Sequence, residues 1–428
     1  MNNGERERDQ IRIAARALCA AVKPIKVLRQ IDWDPSIRER FFAQGARELP
    51  RPQYAAFDPA PTREALGQLS GLTIANPHIA QWVARQAEAI DASALMMAGV
   101  GTKAFFEYGR VLYGEPKAPL RMHPTTPWDL AQNVREVVEQ LGLARIDLTP
   151  PSYHTAEDVA TQLRPEVAGH FGGAAPKVEV VDVLSANALA GARLIRLRRD
   201  ARFTDRDAVQ LLQHEAYIHV ATSLNGKAQT ELPILAASHP YVTRTQEGLA
   251  VLAEIVSGTI EMDRFTRLAD RVFAIQLAVD GADFLEVYRF FLDRSGKPEQ
   301  SFENTRRVFR GGVIEGGAPF TKDCVYLYGL LQASNAVRAL FASGRADCLP
   351  LLFCGKLDVQ DLRALCELAA IGLLKAPLFL PPWISDPRTL FALLTYSTFM
   401  NRIDIGPMVD FAQELLRDAP RVTFQSSN

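Results

Sequence analysis

Cysteine is scarce in this chain, with five among 428 residues. Cys19, Cys324, Cys348, Cys354 and Cys366 form no CxxC pair. That argues against a disulfide-framed secreted fold and against a cysteine zinc cage. Long apolar runs are missing too. The nearest, residues 371–384, is broken by Lys375, Pro377, Pro381 and Pro382, so none reaches the about 18 residues of a membrane helix. An excess of one charge is also absent, with 48 basic against 49 acidic residues and a net charge of −1. This balance gives no electrostatic reason to expect nucleic acid or an anionic membrane as partner. The first twenty or so residues are charged and then amphipathic, without a signal-peptide apolar core. A reducing, cytoplasmic setting is the expectation. No internal repeat or low-complexity segment stands out.

What is present is ordinary globular composition, 48% hydrophobic and 23% charged. The length suits two to three domains' worth of chain. The pattern predicts an α+β fold with far more helix than strand, read in three parts that pack as one compact unit. Residues 1–120 form a helical N-terminal region, with helix starts at Thr62 and at Asn76-Pro77. Residues 121–345 form the core. There Thr126-Pro-Trp-Asp129, Thr155-Ala-Glu-Asp158 and Thr204-Asp-Arg-Asp207 each read as a helix start, the first a capping box. Val178 to Leu184 and Ala192 to Leu197 read as strands, joined by a linker over 185–191. Helical patterns follow at 246–258, 262–294 and 321–342. Residues 346–428 are again helical, with proline breaks.

The chemistry concentrates at Gln213-His-Glu-Ala-Tyr-Ile-His219. Only seven histidines occur in the chain, and two flank this glutamate. Chance would place such an HExxxH in about one chain in a hundred of this composition. In the zincin pattern HExxH, two imidazoles at i and i+4 lie about 40° apart on a helix and reach one ion. At i+5 the angle in a regular α-helix is about 140°, which points them apart. A π-bulge between His214 and His219 brings them back together. Without it, these are two unrelated polar residues on one helix.

A catalytic zinc site needs a third protein ligand and one open position. Glu247, in Thr245-Gln-Glu-Gly-Leu-Ala250, stands 28 residues after His219, room for a loop and a return. Glu254 and His239 are rivals, and Glu254 equally suits a place behind a ligand. The plainer reading of Glu247 is a favourable anion in the first turn of a helix.

HEAYIH followed by TQEGLA resembles the family named for its QEGLA motif, the bacterial flavohemoglobin expression-modulating proteins. These are related to the eukaryotic microtubule-associated tyrosine carboxypeptidases, which carry HExxxH and a similar EGLA segment. The resemblance extends to Arg307, Arg310 and Gly311, to Phe320-Thr-Lys-Asp323 with Tyr326, Leu327 and Gly329, and to Gly355-Lys356. It spans roughly residues 205–360 by motif. It implies a zincin-like metallopeptidase core, with His214, His219 and Glu247 holding Zn²⁺ and Glu215 as the catalytic glutamate. The eukaryotic members have Gly and Thr where this chain has Tyr217 and Ile218, so their substrate, tubulin, is not carried over. The dipeptidyl-peptidase III family shares HExxxH but takes its third ligand from an EExxxE-type motif that this chain lacks.

From these assignments follows an expected mechanism. Zn²⁺ acidifies a water and polarises a carbonyl, and Glu215 acts as general base and later as acid. An oxyanion donor is expected from Tyr326, Tyr217 or Lys322. The strand over 192–197 is expected at a sheet edge, where an extended peptide pairs. A carboxypeptidase must also meet the substrate's terminal carboxylate. Arg307, Arg310 and Lys322 are the candidate cations, with the neighbouring Arg306 equally readable as a solvated helix end. Thr321 also reads as a helix cap. The expected activity is removal of residues from a peptide or protein C-terminal tail. The alternative is a regulatory or binding protein that keeps the metal as structure.

Overall fold

The computed structural model describes residues 3–143, 152–184, 187–400, 402–404 and 406–415. Two compact units divide the chain, Met1–Ser385 and Asp386–Asn428. The fold is predominantly helical α+β. In the second unit, helices run over Arg388–Met400 and Gly406–Leu415.

Helix starts in the first unit follow local capping chemistry. Asn76 accepts from the backbone N–H groups of His78 and Ile79, with Pro77 at the first helical position of Pro77–Ala98. Thr126 and Asp129 bond reciprocally at the start of Pro127–Leu143. Thr155 and Asp158 close a capping box before Ala156–Phe171. Thr62 is different: it lies inside helix Ala60–Gly67, where its buried hydroxyl donates to the Ala21 carbonyl.

The sheet corrects the sequence reading. Its strands are Lys177–Val181, Ala188–Gly191 and Leu194–Arg198. Leu194–Arg198 is central, parallel to Lys177–Val181 and antiparallel to Ala188–Gly191. Part of the expected linker is therefore a strand, and it occupies the edge expected of 192–197. Ser185 and Ala186, also in that linker, lie outside the described residues. The helical pattern 262–294 is two helices, Met262–Val279 and Phe284–Ser295, separated at Gly281 where φ is +110°.

Two apolar clusters flank the middle of the unit. One packs helix Ala156–Phe171 and the sheet against residues 208–221, through Val159, Leu163, Ile195, Leu197, Ala216 and Val220. The other gathers Trp33, Phe41, Phe284, Phe302 and Phe309 into an aromatic core. The two helices that face each other most extensively are Pro240–Val256 and Val325–Ala342.

Candidate metal centre and active site

The helix bearing HExxxH begins regularly. Thr204 caps it reciprocally with Asp207, and Asp205–Leu211 is α-helical. Leu212–Val220 is then π-helical, and regular winding resumes over Ala221–Ala228. At the end of the bulge the Ala221 N–H reaches the Ala216 carbonyl, five residues back. The consequence is geometric. The rings of His214 and His219 come to 5.0 Å between centroids at 79°, where a regular α-helix would splay them.

The sequence sustains this overfilled turn. A bulge leaves backbone carbonyls short of partners, and hydroxyls supply them. Thr222 donates to the Ile218 carbonyl at 2.7 Å, and Ser223 to that of His219 at 2.6 Å. Tyr217 and Ile218 are buried. Tyr217 packs on His170 at 4.6 Å between ring centroids, within the cluster on the sheet side. Its ring is thus a packing element of that cluster.

Each letter of Thr245-Gln-Glu-Gly has a separate job on helix Pro240–Val256. Thr245 donates to Asp358 at 3.2 Å and accepts from the Val359 N–H, tying the helix to the loop before Leu362. Gln246 meets the Thr222 hydroxyl at 2.8 Å, tying it to the bulged helix. Gly248 lets the backbones touch: a Cβ there would stand 2.1 Å from the Gly329 carbonyl oxygen. Gly329 is reciprocal, since its Cβ would meet the Arg244 carbonyl at 2.0 Å. Glu247, seven residues into the helix rather than in its first turn, is thereby delivered to the histidines.

Its Oε2 lies 3.7 Å from Nε2 of His214 and 3.7 Å from Nε2 of His219. One ligand atom from each of the three residues falls within 4.8 Å of the others, and the described residues hold no other such group. Bonds of about 2.1 Å to a tetrahedral ion set ligand atoms about 3.4 Å apart, close to these separations. Two neutral imidazoles and one carboxylate are the donor set of a catalytic zinc site. Neither rival joins them. His239 stands outside the group, buried against Tyr241 with both ring nitrogens unpartnered among the described residues. Glu254 lies behind His214.

Glu254 is fully buried and sits 2.6 Å from Nδ1 of His214. Arg264 donates to both carboxylate oxygens, to Oε2 at 3.2 Å and to Oε1, the oxygen that His214 also meets, at 3.1 Å. Burial alone would raise the Glu254 carboxyl, but Arg264 and His214 outweigh it and bring it down to about 2. Burial likewise disfavours a charged His214, yet contacts with Glu247 and Glu254 push it up to about 10. Glu254 therefore fixes the ring so that Nε2 faces Glu247, as carboxylates do behind metal-ligating histidines. Glu215, half-buried beside His214, makes no hydrogen bond or ion pair among the described residues.

The candidate cations separate. Lys322 reaches the triad, its Nζ 3.9 Å from Oε1 of Glu247. Arg307 is clamped by two guanidinium nitrogens to buried Asp323, at 2.6 and 2.8 Å. Arg271 adds a second cation 3.7 Å from that carboxylate. Arg310 is buried among Arg306, Arg307, Asp32 and Asp323 and shows no contact with the triad. Arg306 pairs with Asp32 and Glu303. Tyr326 lies beside the Lys322 ammonium and the Arg271 guanidinium, at 5.6 and 5.1 Å from its ring centroid. Thr321 caps nothing, and its buried hydroxyl has no partner among the described residues.

Two site residues carried no assigned role in the sequence. Arg264 stands on a separate helix, and no spacing rule ties it to Glu254. Lys356 is held inward by its backbone. A Cβ on the preceding Gly355 would meet the Leu235 carbonyl at 2.6 Å, and the Lys356 N–H donates to that carbonyl at 2.7 Å. Burial depresses its ammonium, while Glu247 and Glu215 act to keep the charge.

A family model described as microtubule-associated tyrosine carboxypeptidase matches residues 39–402. The chain belongs to that family. The match takes in the bulged helix, the glutamate helix and the Lys322 segment, and with them the whole triad. No curated protein matches the chain. No described helix is long and apolar enough to cross a membrane.

Proposed function

We propose that the chain is a zinc-dependent peptidase that removes residues from the C-terminus of a peptide or protein tail. The convergence of His214, His219 and Glu247 through a π-bulged turn carries this reading. A bulge that brings two imidazoles to one carboxylate has no use in packing alone. Membership in a family described as carboxypeptidases supports the reaction class. Three protein donors, rather than four, match the ligand count of catalytic rather than structural zinc sites.

His214, His219 and Glu247 would hold the ion, and Glu254 with Arg264 would fix the His214 ring. When bound, Zn²⁺ supplies Lewis acidity for the scissile carbonyl and for a water. The unpaired Glu215 carboxylate accepts that water's proton as its oxygen bonds to the carbonyl carbon. It then delivers the proton to the departing amine nitrogen as the C–N bond breaks. Tyr326 donates to the developing oxyanion, with Lys322 close beside it. Lys322 also takes the substrate's terminal carboxylate. Such a carboxylate is costly to bury without a cation. The free sheet edge beside the bulged helix, Ala188–Gly191, offers backbone groups to an extended substrate.

The test is metal content. Purified protein should carry close to one zinc per chain by elemental mass spectrometry, and His214→Ala and Glu247→Ala should each lose it. Full zinc in both variants would overturn the assignment.

A further inference from the structure

Outside the metal centre the structure brings two thiols together. Cys348 lies in the 3₁₀ stretch Ala346–Phe353 and Cys366 in helix Leu362–Ala370, with their sulfurs 3.7 Å apart. A disulfide bond is about 2.05 Å, so closure needs a movement of under about 2 Å. The guanidinium of Arg345 stands 3.0 Å from the Cys348 sulfur, and its charge also acts on Cys366. Arg345 in turn pairs with exposed Asp347, which places the thiol pair at the surface. We propose that Cys348 and Cys366 are a redox modification site, a dithiol that closes reversibly when the chain meets a peroxide.

The order of events follows from burial. Cys348 is buried, whereas Cys366 is half-exposed and is the sulfur that solvent reaches first. The thiolate is the reactive form of a cysteine. The Cys366 thiolate attacks a peroxide oxygen, the O–O bond breaks, and hydroxide leaves, giving a sulfenic acid. The Cys348 sulfur then attacks the sulfenic sulfur. The S–O bond breaks, the S–S bond forms, and the thiol's proton leaves with the hydroxyl as water. The peroxide is reduced by the two electrons that the thiols lose. Cys324 and Cys354 are buried, and neither has a second sulfur beside it among the described residues, so they take no part. A link of this kind belongs with the transient, redox-sensing disulfides of reducing compartments.

Closure would fasten the two ends of the segment 348–366. That segment carries Lys356 and Asp358, and Asp358 braces Thr245 two residues before Glu247. The proposal stands whether or not the chain binds zinc.

The test uses the full, reduced chain. It is treated with a few equivalents of hydrogen peroxide, its free thiols are blocked, and its peptides are mapped by mass spectrometry. The expected result is a Cys348–Cys366 linked pair that dithiothreitol reverses. In Cys348→Ser, the sulfenic acid should persist at Cys366 and be trapped by dimedone. Free thiols, or sulfinic and sulfonic acids without the link, would overturn the proposal. So would linkage of either residue to Cys19. The wild-type map decides even if the variant fails to fold.

Discussion

Glu254 and His214 are joined by a 2.6 Å hydrogen bond between two buried side chains, forty residues apart in the chain. The bond leaves Nε2 of His214 facing Glu247 and makes the ring's orientation a property of two helices. Glu254→Gln keeps the shape but gives up the charge that Arg264 and His214 both use. Zinc affinity, measured by competition with a chromophoric chelator, should fall about 10–100-fold. An unchanged affinity would mean that Glu254 serves only to pair Arg264.

Lys322 is the candidate cation that touches the triad directly. Lys322→Met should raise KM for peptides with free C-termini by at least about tenfold, since charge-assisted contacts contribute roughly 1.5–3 kcal/mol. Zinc content should hold. C-terminally amidated peptides should be poor substrates for the wild type and little affected by the substitution. Equal cleavage of free and amidated peptides would contradict the carboxypeptidase reading.

The two tyrosines near the bulge should behave oppositely. Tyr217→Phe removes a hydroxyl with no place in the proposed chemistry, so kcat should stay within about threefold. Tyr326→Phe removes the proposed oxyanion donor and should lower kcat by about 100-fold or more, with KM little changed. A large loss in Tyr217→Phe, with Tyr326→Phe unaffected, would reverse the assignment.

Asp361 gives a pH signature outside the candidate metal site. Burial and the neighbouring Asp358 push its carboxyl up to about 7, against opposing contacts from Arg85 and Tyr241. A carboxyl raised on folding binds its proton more tightly in the native state. Its contribution is therefore full below the unfolded value near 4 and is lost as pH rises towards 7. Asp361→Asn should flatten the stability profile between about pH 4 and 7. Relative to the wild type it should gain most above pH 7, on the order of 2 kcal/mol. Parallel urea-unfolding profiles for the two proteins would show that the carboxyl is not perturbed.

Local chemistry was the legible part of this molecule. Asn76, Thr126, Thr155 and Thr204 mark helix starts because a cap is decided within four residues. The bulge was legible because HExxxH is useless for one ion in a regular helix. Strand order was not, since the antiparallel addition of Ala188–Gly191 depends on partners across the sheet. Glu247's depth in its helix was hidden because Pro240, not the residues beside Glu247, sets the start. Tyr217 packs on helix Ala156–Phe171 because of what His170 offers it, and Arg264 reaches Glu254 from a helix of its own. Tertiary contacts of this kind leave no spacing in the sequence.

The most direct test of the central claim is release of the C-terminal residue from a free peptide, followed by mass spectrometry, with zinc-loaded wild type and Glu215→Gln compared. The account predicts that both proteins hold equal zinc, that the wild type shortens the peptide, and that Glu215→Gln does so at least about 1000-fold more slowly. A Glu215→Gln protein that keeps its zinc and cleaves as fast as the wild type would contradict it.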